Sequence, residues 1–254
     1  MNNNLMQNQI YKYLLSVLKE KGAGYLVLID PDQKNDSKIE EFVHTANQSE
    51  VDALLVGGSL MMDSKNHERV ELIKKNAKMP VIFFPGGVQQ LNGHYDAMFF
   101  MSILSGRNPH YLIGEQAIAA PIVKDIGIET IPMGYILIDG GTTTTVEFMS
   151  STKPIPMDRP DITVAHCLAA QYLGKKIVYL EAGSGAKYPV STGTIAIVKE
   201  QIDIPVIVGG GIRTPDDASE RVAAGADFIV TGTITEKSDD LSMMKQFSEA
   251  IHSS

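Results

Sequence analysis

The chain has 254 residues, of which 44% are hydrophobic, and a single α/β barrel typically takes about 250 residues. The formal net charge of -8 argues against a nucleic-acid partner, which binds a basic face, but is compatible with a small anionic ligand held by backbone amides. There is neither a run of 18 apolar residues nor a signal-peptide pattern, and the single cysteine, Cys167, is predicted to be a core residue, so we expect a cytoplasmic protein.

Apolar runs alternate with helical patterns along the chain. Residues 5–22 predict an amphipathic helix, because Ile10, Leu14, Val17 and Leu18 recur at helical spacing before Gly22. Eight short apolar runs, each typical of a buried parallel strand, then follow at residues 25–29, 53–56, 81–84, 97–103, 135–138, 177–180, 206–208 and 228–230. We therefore predict an α/β protein, a single (β/α)8 TIM barrel over residues 1–254 with an extra N-terminal helix.

Two connections depart from this regular alternation. The segment PGGVQQLNGHYD, between the third and fourth strands, contains glycines that weaken a helix, so we expect the third helix to be degenerate. Residues 142–160 begin with threonines and end in STKPIPMDRP, whose three prolines favour an irregular crossover over a long helix.

Glycine follows most of the predicted strands. The carboxyl ends of the strands in a parallel barrel face the same mouth, so these turns should converge there. The stretch VIVGGGIRTPDDASERVAAGADFIVTGT, residues 206–233, places glycine-rich turns after the seventh and eighth strands, and a helix begins at Thr214-Pro215. Exposed backbone N–H groups and a helix N-terminus at this place predict a phosphate-binding site.

Carboxylates at the same mouth suggest two further chemical roles. Asp30 follows the first strand and Ser59 the second, and a hard cation such as Mg²⁺ prefers carboxylate and hydroxyl oxygens, so both are candidate metal ligands. Strand alternation puts Tyr179 and Glu181 on one side of the sixth strand, where Glu181 could accept a proton from a substrate hydroxyl. Histidine spacing does not predict zinc, and we find no dinucleotide-binding, nucleophile-elbow or Walker motif.

Five segments in order, LIDPD, LLVGGSLM, YLEAGSGA, VIVGGGIRTPDDA and IVTGTITE, together resemble the geranylgeranylglyceryl phosphate synthases, which are (β/α)8-barrel prenyltransferases. The resemblance runs from about Gly24 to Glu236. It implies an Mg²⁺-dependent reaction in which sn-glycerol 1-phosphate and geranylgeranyl diphosphate form an ether and release pyrophosphate.

The resemblance also implies residue roles. Asp30 and Ser59 would bind Mg²⁺, and Glu181 and Tyr179 would be catalytic. The acceptor, sn-glycerol 1-phosphate, would contact Tyr179, Leu180, Glu181, Ala182, Gly183, Ser184 and Gly185, and its phosphate Gly210, Gly211, Gly232 and Thr233. The prenyl diphosphate would contact Arg107, Asn108 and Tyr111, and Tyr111, Tyr135 and Phe148 would help to line an apolar groove for its tail.

One position departs from the family pattern and leaves the phosphate partner open. Many members have a lysine two residues before the first aspartate of the DPD motif, where it meets the phosphate, and this chain has Leu28. Backbone amides or another cation must then hold the anion, and Arg107 is a candidate for this phosphate or for the diphosphate.

Several alternatives remain at this point. The same reaction could use a longer prenyl diphosphate such as heptaprenyl; the barrel could instead be a sugar-phosphate isomerase or cyclase, or a noncatalytic sensor of a phosphate ligand. The resemblance further implies a homo-oligomer. The lipid substrate and product imply transient contact with a membrane, although the sequence contains no anchor.

Overall fold

The computed structural model describes residues 8–232 and 242–252. Eight parallel strands close into one barrel in which each strand pairs with the next and β8 pairs with β1. The strands are β1 Gly24–Ile29, β2 Ala53–Val56, β3 Val81–Phe83, β4 Ala97–Ile103, β5 Glu129–Leu137, β6 Ile177–Glu181, β7 Val206–Gly209 and β8 Phe228–Thr231. The predicted (β/α)8 barrel is confirmed, and all eight predicted strands are present.

Helices cover the outside of the barrel and one of its ends. They are α1 Gln9–Lys21, α2 Ile39–Gln48, α3 Asn66–Asn76, α4 Glu115–Ile126, α5 Thr145–Ser150, α6 Pro160–Tyr172, α7 Thr192–Gln201, α8 Pro215–Ala223 and α9 Ser242–His252. The extra N-terminal helix is α1, and the first residues predicted for it, 5–7, lie outside the described part of the chain.

The connection between β3 and β4 contains only a turn of 3₁₀-helix, Val88–Gln90, which confirms that the third barrel helix is degenerate. The crossover after β5 is irregular as expected, although it includes the short helix α5, which Thr144 caps by accepting a hydrogen bond from the Glu147 amide. Of the three prolines predicted to disfavour a helix, Pro154 and Pro156 precede α6, whereas Pro160 begins it, a position at which proline is well tolerated.

The prediction for β5 was too short, because this strand begins at Glu129 rather than at Tyr135. Pro132 and Gly134 within it hid the strand pattern. A Cβ at Gly134 would lie 2.8 Å from the Ala170 Cβ of α6, so the glycine permits close packing of this helix on the sheet.

Two apolar layers hold the barrel together. Side chains of alternate residues fill the interior, and the other face of each strand packs against the helices. Cys167 of α6 belongs to the outer layer, where burial raises the pKa of its thiol to about 12, so its predicted core role is confirmed. None of the helices in the described part of the chain is both long and apolar enough to cross a membrane.

Helix α1 closes the amino-terminal end of the barrel. Leu14 packs into the interior layer with 1% of its surface exposed, and the backbone amides of Ile10 and Tyr11 donate to the Glu129 carboxylate at 2.8 and 2.9 Å. Because a carboxylate at a helix N-terminus satisfies free N–H groups, Glu129 fixes α1 against the first residue of β5. The site must therefore lie at the opposite, carboxyl end of the strands.

We expect Leu14→Ala to lower the free energy of unfolding by roughly 2–5 kcal/mol, because it leaves a cavity in the barrel interior. Leu15→Ala on the solvent side of the same helix is the matched control, with Leu15 39% exposed. It should change stability by less than about 1 kcal/mol. Urea unfolding of the two variants measures the difference, and equal losses would contradict the proposed closure by α1.

Candidate active site

A cavity of about 850 Å³ opens at the carboxyl ends of the strands. One side of it is polar and is formed by the turns after β1, β2, β6, β7 and β8, and the other is an apolar arm beside β3, β4 and α4. The cavity thus combines an anion-binding surface with a hydrophobic surface in one continuous space.

Glu181 is the central buried carboxylate of the polar side. Its Oε1 accepts a hydrogen bond from the Gly183 amide at 2.6 Å, and the Tyr179 hydroxyl donates a second hydrogen bond to the carboxylate. Burial raises the pKa of Glu181 to about 7, against the lowering effect of these two hydrogen bonds. A carboxylate with this pKa can accept a proton near neutral pH.

Tyr179 lies beneath Glu181 as part of an aromatic floor. Its ring stacks on Tyr135 with centroids 5.4 Å apart, and Phe84 lies 5.4 Å from it at a tilted angle. Burial first, and then the negative charge of Glu181, raise the pKa of both tyrosines well above the ordinary value. Both phenols therefore stay neutral, and Tyr179 acts as a hydrogen-bond donor.

Glycines form the wall that faces this carboxylate. A Cβ at Gly210 would lie 2.3 Å from Glu181 Oε1, and a Cβ at Gly209 would lie 2.1 Å from the Tyr179 hydroxyl. Gly210 and Gly211 also have φ angles of 81° and 73°, a region that favours glycine. Glycine at these positions therefore lets Tyr179 and Glu181 pack directly against the backbone of the turn after β7.

Leu28 and Gly232 continue this wall on the side of β1 and β8. Both line the cavity, and a Cβ at Gly232 would lie 3.3 Å from the Leu28 Cβ. Thr233, the last residue of the predicted phosphate site, lies outside the described residues. The uncharged Leu28 side chain thus lies beside Gly232 at the cavity surface.

Asp30 and Ser59 both line the cavity, at the ends of β1 and β2. Lys34 Nζ lies 3.4 Å from Asp30 Oδ2 and also lines the cavity. Residues 8–232 and 242–252 contain no group of three His, Cys, Asp or Glu side chains that could enclose a metal ion. One carboxylate with a neighbouring hydroxyl nevertheless fits Mg²⁺, which often binds through one or two carboxylates and substrate phosphates.

The apolar arm lies beside the connection between β3 and β4, where a 3₁₀ turn replaces the usual barrel helix. It is lined by Phe83, Phe84, Val88, Leu91, Met98, Phe100, Met101, Ile103, Tyr111, Ala119, Tyr135, Val146 and Met149. The Tyr111 hydroxyl donates to the Met149 carbonyl at 3.2 Å and so joins the turn before α4 to α5. Because a 3₁₀ turn replaces a helix here, the cavity extends sideways without widening the barrel.

Comparison with known proteins supplies the family. The PcrB family profile matches residues 15–251. This chain is a member of the PcrB family. It is 41% identical over 248 residues to a protein of Chitinophaga pinensis and 43% identical over 244 residues to one of Methanosphaera stadtmanae, both named geranylgeranylglyceryl phosphate synthase. The alignments cover 97% of both chains in the first case, and 96% of this chain and 99% of the relative in the second.

Solved structures agree with this assignment. The (S)-3-O-geranylgeranylglyceryl phosphate synthase of Thermoplasma acidophilum, in complex with its substrate sn-glycerol-1-phosphate, superposes with a TM-score of 0.88 at 37% identity, over 95% of this chain and 98% of that one. The wild-type GGGPS of Thermoplasma volcanium gives a TM-score of 0.89 at 38% identity, over 96% and 97% of the two chains.

This PcrB-family cavity brings together most of the residues predicted from the sequence. Tyr179 and Glu181 point inward as strand alternation predicts, while Leu180 between them packs into the outer layer. The predicted residues on the cavity surface are Asp30, Ser59, Tyr111, Tyr135, Tyr179, Glu181, Ser184, Gly185, Gly210, Gly211 and Gly232. The Ala182 side chain also belongs to the outer layer, and Gly183 contributes its amide to Glu181.

The structure does not bring the Arg107 and Asn108 side chains to the cavity surface. Arg107 Nη1 donates to the carbonyls of Ser105 and Gly106 at 3.3 and 2.9 Å, and Asn108 Nδ2 donates to the Ser150 carbonyl at 3.0 Å. The expected substitute for the missing lysine is thus held by backbone oxygens of its own turn.

Phe148 is likewise absent from the apolar arm. It lies on α5 with 77% of its surface exposed, whereas Val146 and Met149 of the same helix line the cavity. Helical geometry explains the difference, because residues on one short helix that are one position apart face different directions.

The cavity residues that the sequence did not predict include Lys34, Phe84, Gln116 and Arg213. Phe84 directly follows β3 and carried a strand signal only. Arg213 donates to the Ala186 and Lys187 carbonyls at 2.7 and 3.0 Å, and the charge of this side chain at the end of the GGGIR segment was its only signal.

We expect Tyr179→Phe to raise the pKa of Glu181 above 7, because the variant lacks a hydrogen bond that favours the charged carboxylate. Tyr135→Phe is the matched control, since it removes a hydroxyl from the ring stacked on Tyr179 and leaves the Tyr179–Glu181 hydrogen bond intact. Carbon-13 NMR titration of labelled glutamate measures both shifts. Equal pKa values of Glu181 in the two variants would show that the Tyr179 hydrogen bond does not lower this pKa.

Proposed function

We propose that this protein is a geranylgeranylglyceryl phosphate synthase, which transfers the geranylgeranyl group of its diphosphate to sn-glycerol 1-phosphate. The observation that carries the proposal is the meeting of the Glu181 carboxylate, a glycine wall and an apolar arm in one cavity. The named relatives and the substrate-bound Thermoplasma acidophilum enzyme support the same reaction.

The glycerol phosphate would bind at the polar side. Its phosphate would lie against the backbone of Gly210, Gly211 and Gly232, where small residues allow backbone groups to approach an anion. Its 3-hydroxyl would then face Glu181, which has a pKa of about 7 and can take the proton as the hydroxyl oxygen attacks. Tyr179 would keep the carboxylate oriented.

The prenyl chain would occupy the apolar arm, and its reactive carbon would point toward the aromatic floor. A C–O bond forms between the glycerol oxygen and this carbon, the bond to the diphosphate breaks, and its electron pair leaves with pyrophosphate. The electron-rich faces of Phe84, Tyr135 and Tyr179 favour positive charge that develops on the carbon. Because the arm excludes water, hydrolysis of the diphosphate would be disfavoured.

Asp30 and Ser59 would hold Mg²⁺, which supplies positive charge to the leaving diphosphate when it is bound. Lys34 lies next to Asp30 and would add a second cation on the same side. This assignment relies on the chemistry of the donor set and on the position of both residues at the cavity surface.

The setting of the reaction follows from the same proposal. We infer a cytoplasmic enzyme that meets a membrane transiently, because its prenyl substrate and its product are lipids. A homo-oligomeric state stays a prediction from the family resemblance.

Product formation from labelled geranylgeranyl diphosphate tests the proposal, with sn-glycerol 1-phosphate, sn-glycerol 3-phosphate or no acceptor in parallel reactions. We expect a lipid product with the 1-phosphate alone. A longer diphosphate such as heptaprenyl distinguishes the chain length. Binding of glycerol phosphate without product for any prenyl length would instead favour a sensor, and turnover of a sugar phosphate an isomerase or cyclase.

We expect Asp30→Asn to lower the Mg²⁺-dependent rate by roughly 10²- to 10³-fold, as for loss of one group that stabilises developing charge. Asp32→Asn, two residues away, is the matched control, because Asp32 caps the following 3₁₀ turn by accepting from the Lys34 amide at 3.2 Å. The control should stay within about tenfold of the unmodified enzyme. Full Mg²⁺-dependent activity in Asp30→Asn would exclude this carboxylate as a ligand.

A further inference from the structure

Arg69 of α3 is a buried guanidinium that binds two carboxylates at once. Its Nη1 and Nη2 donate to the two Asp63 carboxylate oxygens at 2.6 and 2.7 Å, and its Nη2 and Nε donate to Asp36, the former at 3.1 Å. Its side chain is 5% exposed, against 27% and 48% for those of Asp63 and Asp36. Two bidentate pairs on one planar group fix both partners in direction as well as distance.

The partners of Arg69 belong to the two loops that carry the candidate metal ligands. Asp36 lies in the turn after β1, six residues beyond Asp30, and Asp63 lies four residues beyond Ser59 in the turn after β2. Arg69 Nη1 also lies 3.4 Å from the carbonyl of Pro31, next to Asp30. One side chain therefore joins the Asp30 loop to the Ser59 loop from outside the cavity.

The loop that contains Asp30 and the loop that contains Ser59 pack closely against each other. A Cβ at Gly58 would lie 2.2 Å from Asp30 Oδ1, so the carboxylate packs directly on the backbone that precedes Ser59. Gln90 holds the other side of that backbone by donating to the Gly58 carbonyl at 2.7 Å. Movement of one loop against the other would change the position of Asp30 relative to Ser59.

We propose that Arg69 is a positioning residue that sets Asp30 and Ser59 at the separation needed for Mg²⁺ and the diphosphate. The proposal rests on the function proposed above, and it concerns how one side chain holds two loops in place. Arg69 does not line the cavity, so it acts through Asp36, Asp63 and Pro31 and not on the substrate. Its hydrogen-bonding charge also keeps the pKa of the Asp63 carboxyl low, at about 2.

Arg69→Met tests this assignment, since it keeps an unbranched side chain and removes every donor. Arg159→Met is the matched control, because Arg159 also forms a bidentate pair, with Asp161 at 2.9 and 2.7 Å, at the start of α6. The readouts are the Mg²⁺ concentration for half-maximal turnover, calorimetric binding of magnesium pyrophosphate without turnover, the KM for sn-glycerol 1-phosphate, and hydrogen exchange of residues 30–36 and 57–63.

We expect Arg69→Met to raise the half-maximal Mg²⁺ concentration and to weaken magnesium pyrophosphate binding, each by roughly 10- to 100-fold, as for other groups that orient metal ligands. Exchange should accelerate in both loops, and the KM for glycerol phosphate should change by less than about threefold. Arg69→Lys should recover part of the loss, because an ammonium can bind one carboxylate but not two in this geometry. Arg159→Met should change none of these values.

The outcomes separate this inference from the proposed function. A lower melting temperature for Arg69→Met with unchanged Mg²⁺ response and unchanged magnesium pyrophosphate binding would show a structural role only. A wild-type protein that makes no ether but binds magnesium pyrophosphate more tightly than Arg69→Met would overturn the reaction and support the positioning role. If Arg69→Met does not fold, Asp63→Asn must give a smaller shift in the same direction, and no shift overturns the inference.

Discussion

The pairing of β8 with β1 is the constraint on which the site depends. It closes the sheet and sets Val27 beside Thr231, so the turn with Asp30 comes next to the turn with Gly232. In an open sheet these residues would lie at opposite edges, and the polar side of the cavity would be split. Helix α1 and the Glu129 carboxylate complete the other end and leave the carboxyl end as the only mouth for the ligand within the described residues.

Burial and hydrogen bonding act against each other on Glu181. The closed barrel removes water from this carboxylate and raises its pKa, while the Gly183 amide and Tyr179 stabilise its charged form. The pKa of Glu181 therefore lies near neutral pH, where the carboxyl group can both release and accept a proton. Gly209 and Gly210 make this balance possible, because any side chain there would displace Tyr179 or Glu181.

The sequence was sufficient for the strands, the degenerate helix and the inward pair Tyr179 and Glu181, because these follow from periodicity and glycine turns. Prediction from the sequence failed where a local pattern was compatible with two different structures. Arg107 has a charge suited to a phosphate, but its direction depends on three neighbouring carbonyls that no spacing reveals. Pro132 and Gly134 concealed the first six residues of β5, and the need for Gly134 depends on the packing of α6. Arg69 gave no signal, because its partner Asp36 lies in a different loop, 33 residues earlier in the chain, and only the fold brings the two together.

The replacement of a helix by a 3₁₀ turn between β3 and β4 affects how such an enzyme can diversify. The residues that surround the apolar arm come mainly from β3, β4, α4 and α5, whereas Glu181 and the glycine wall come from β6, β7 and β8. In the proposed function, the side chains that would contact the prenyl tail and the Glu181 carboxylate that would accept the proton thus come from different strands of the barrel. On the proposed function, substitutions in the apolar arm would lengthen or shorten the accepted lipid while Glu181 and the glycine wall keep their geometry, so substrate range and proton transfer would evolve separately.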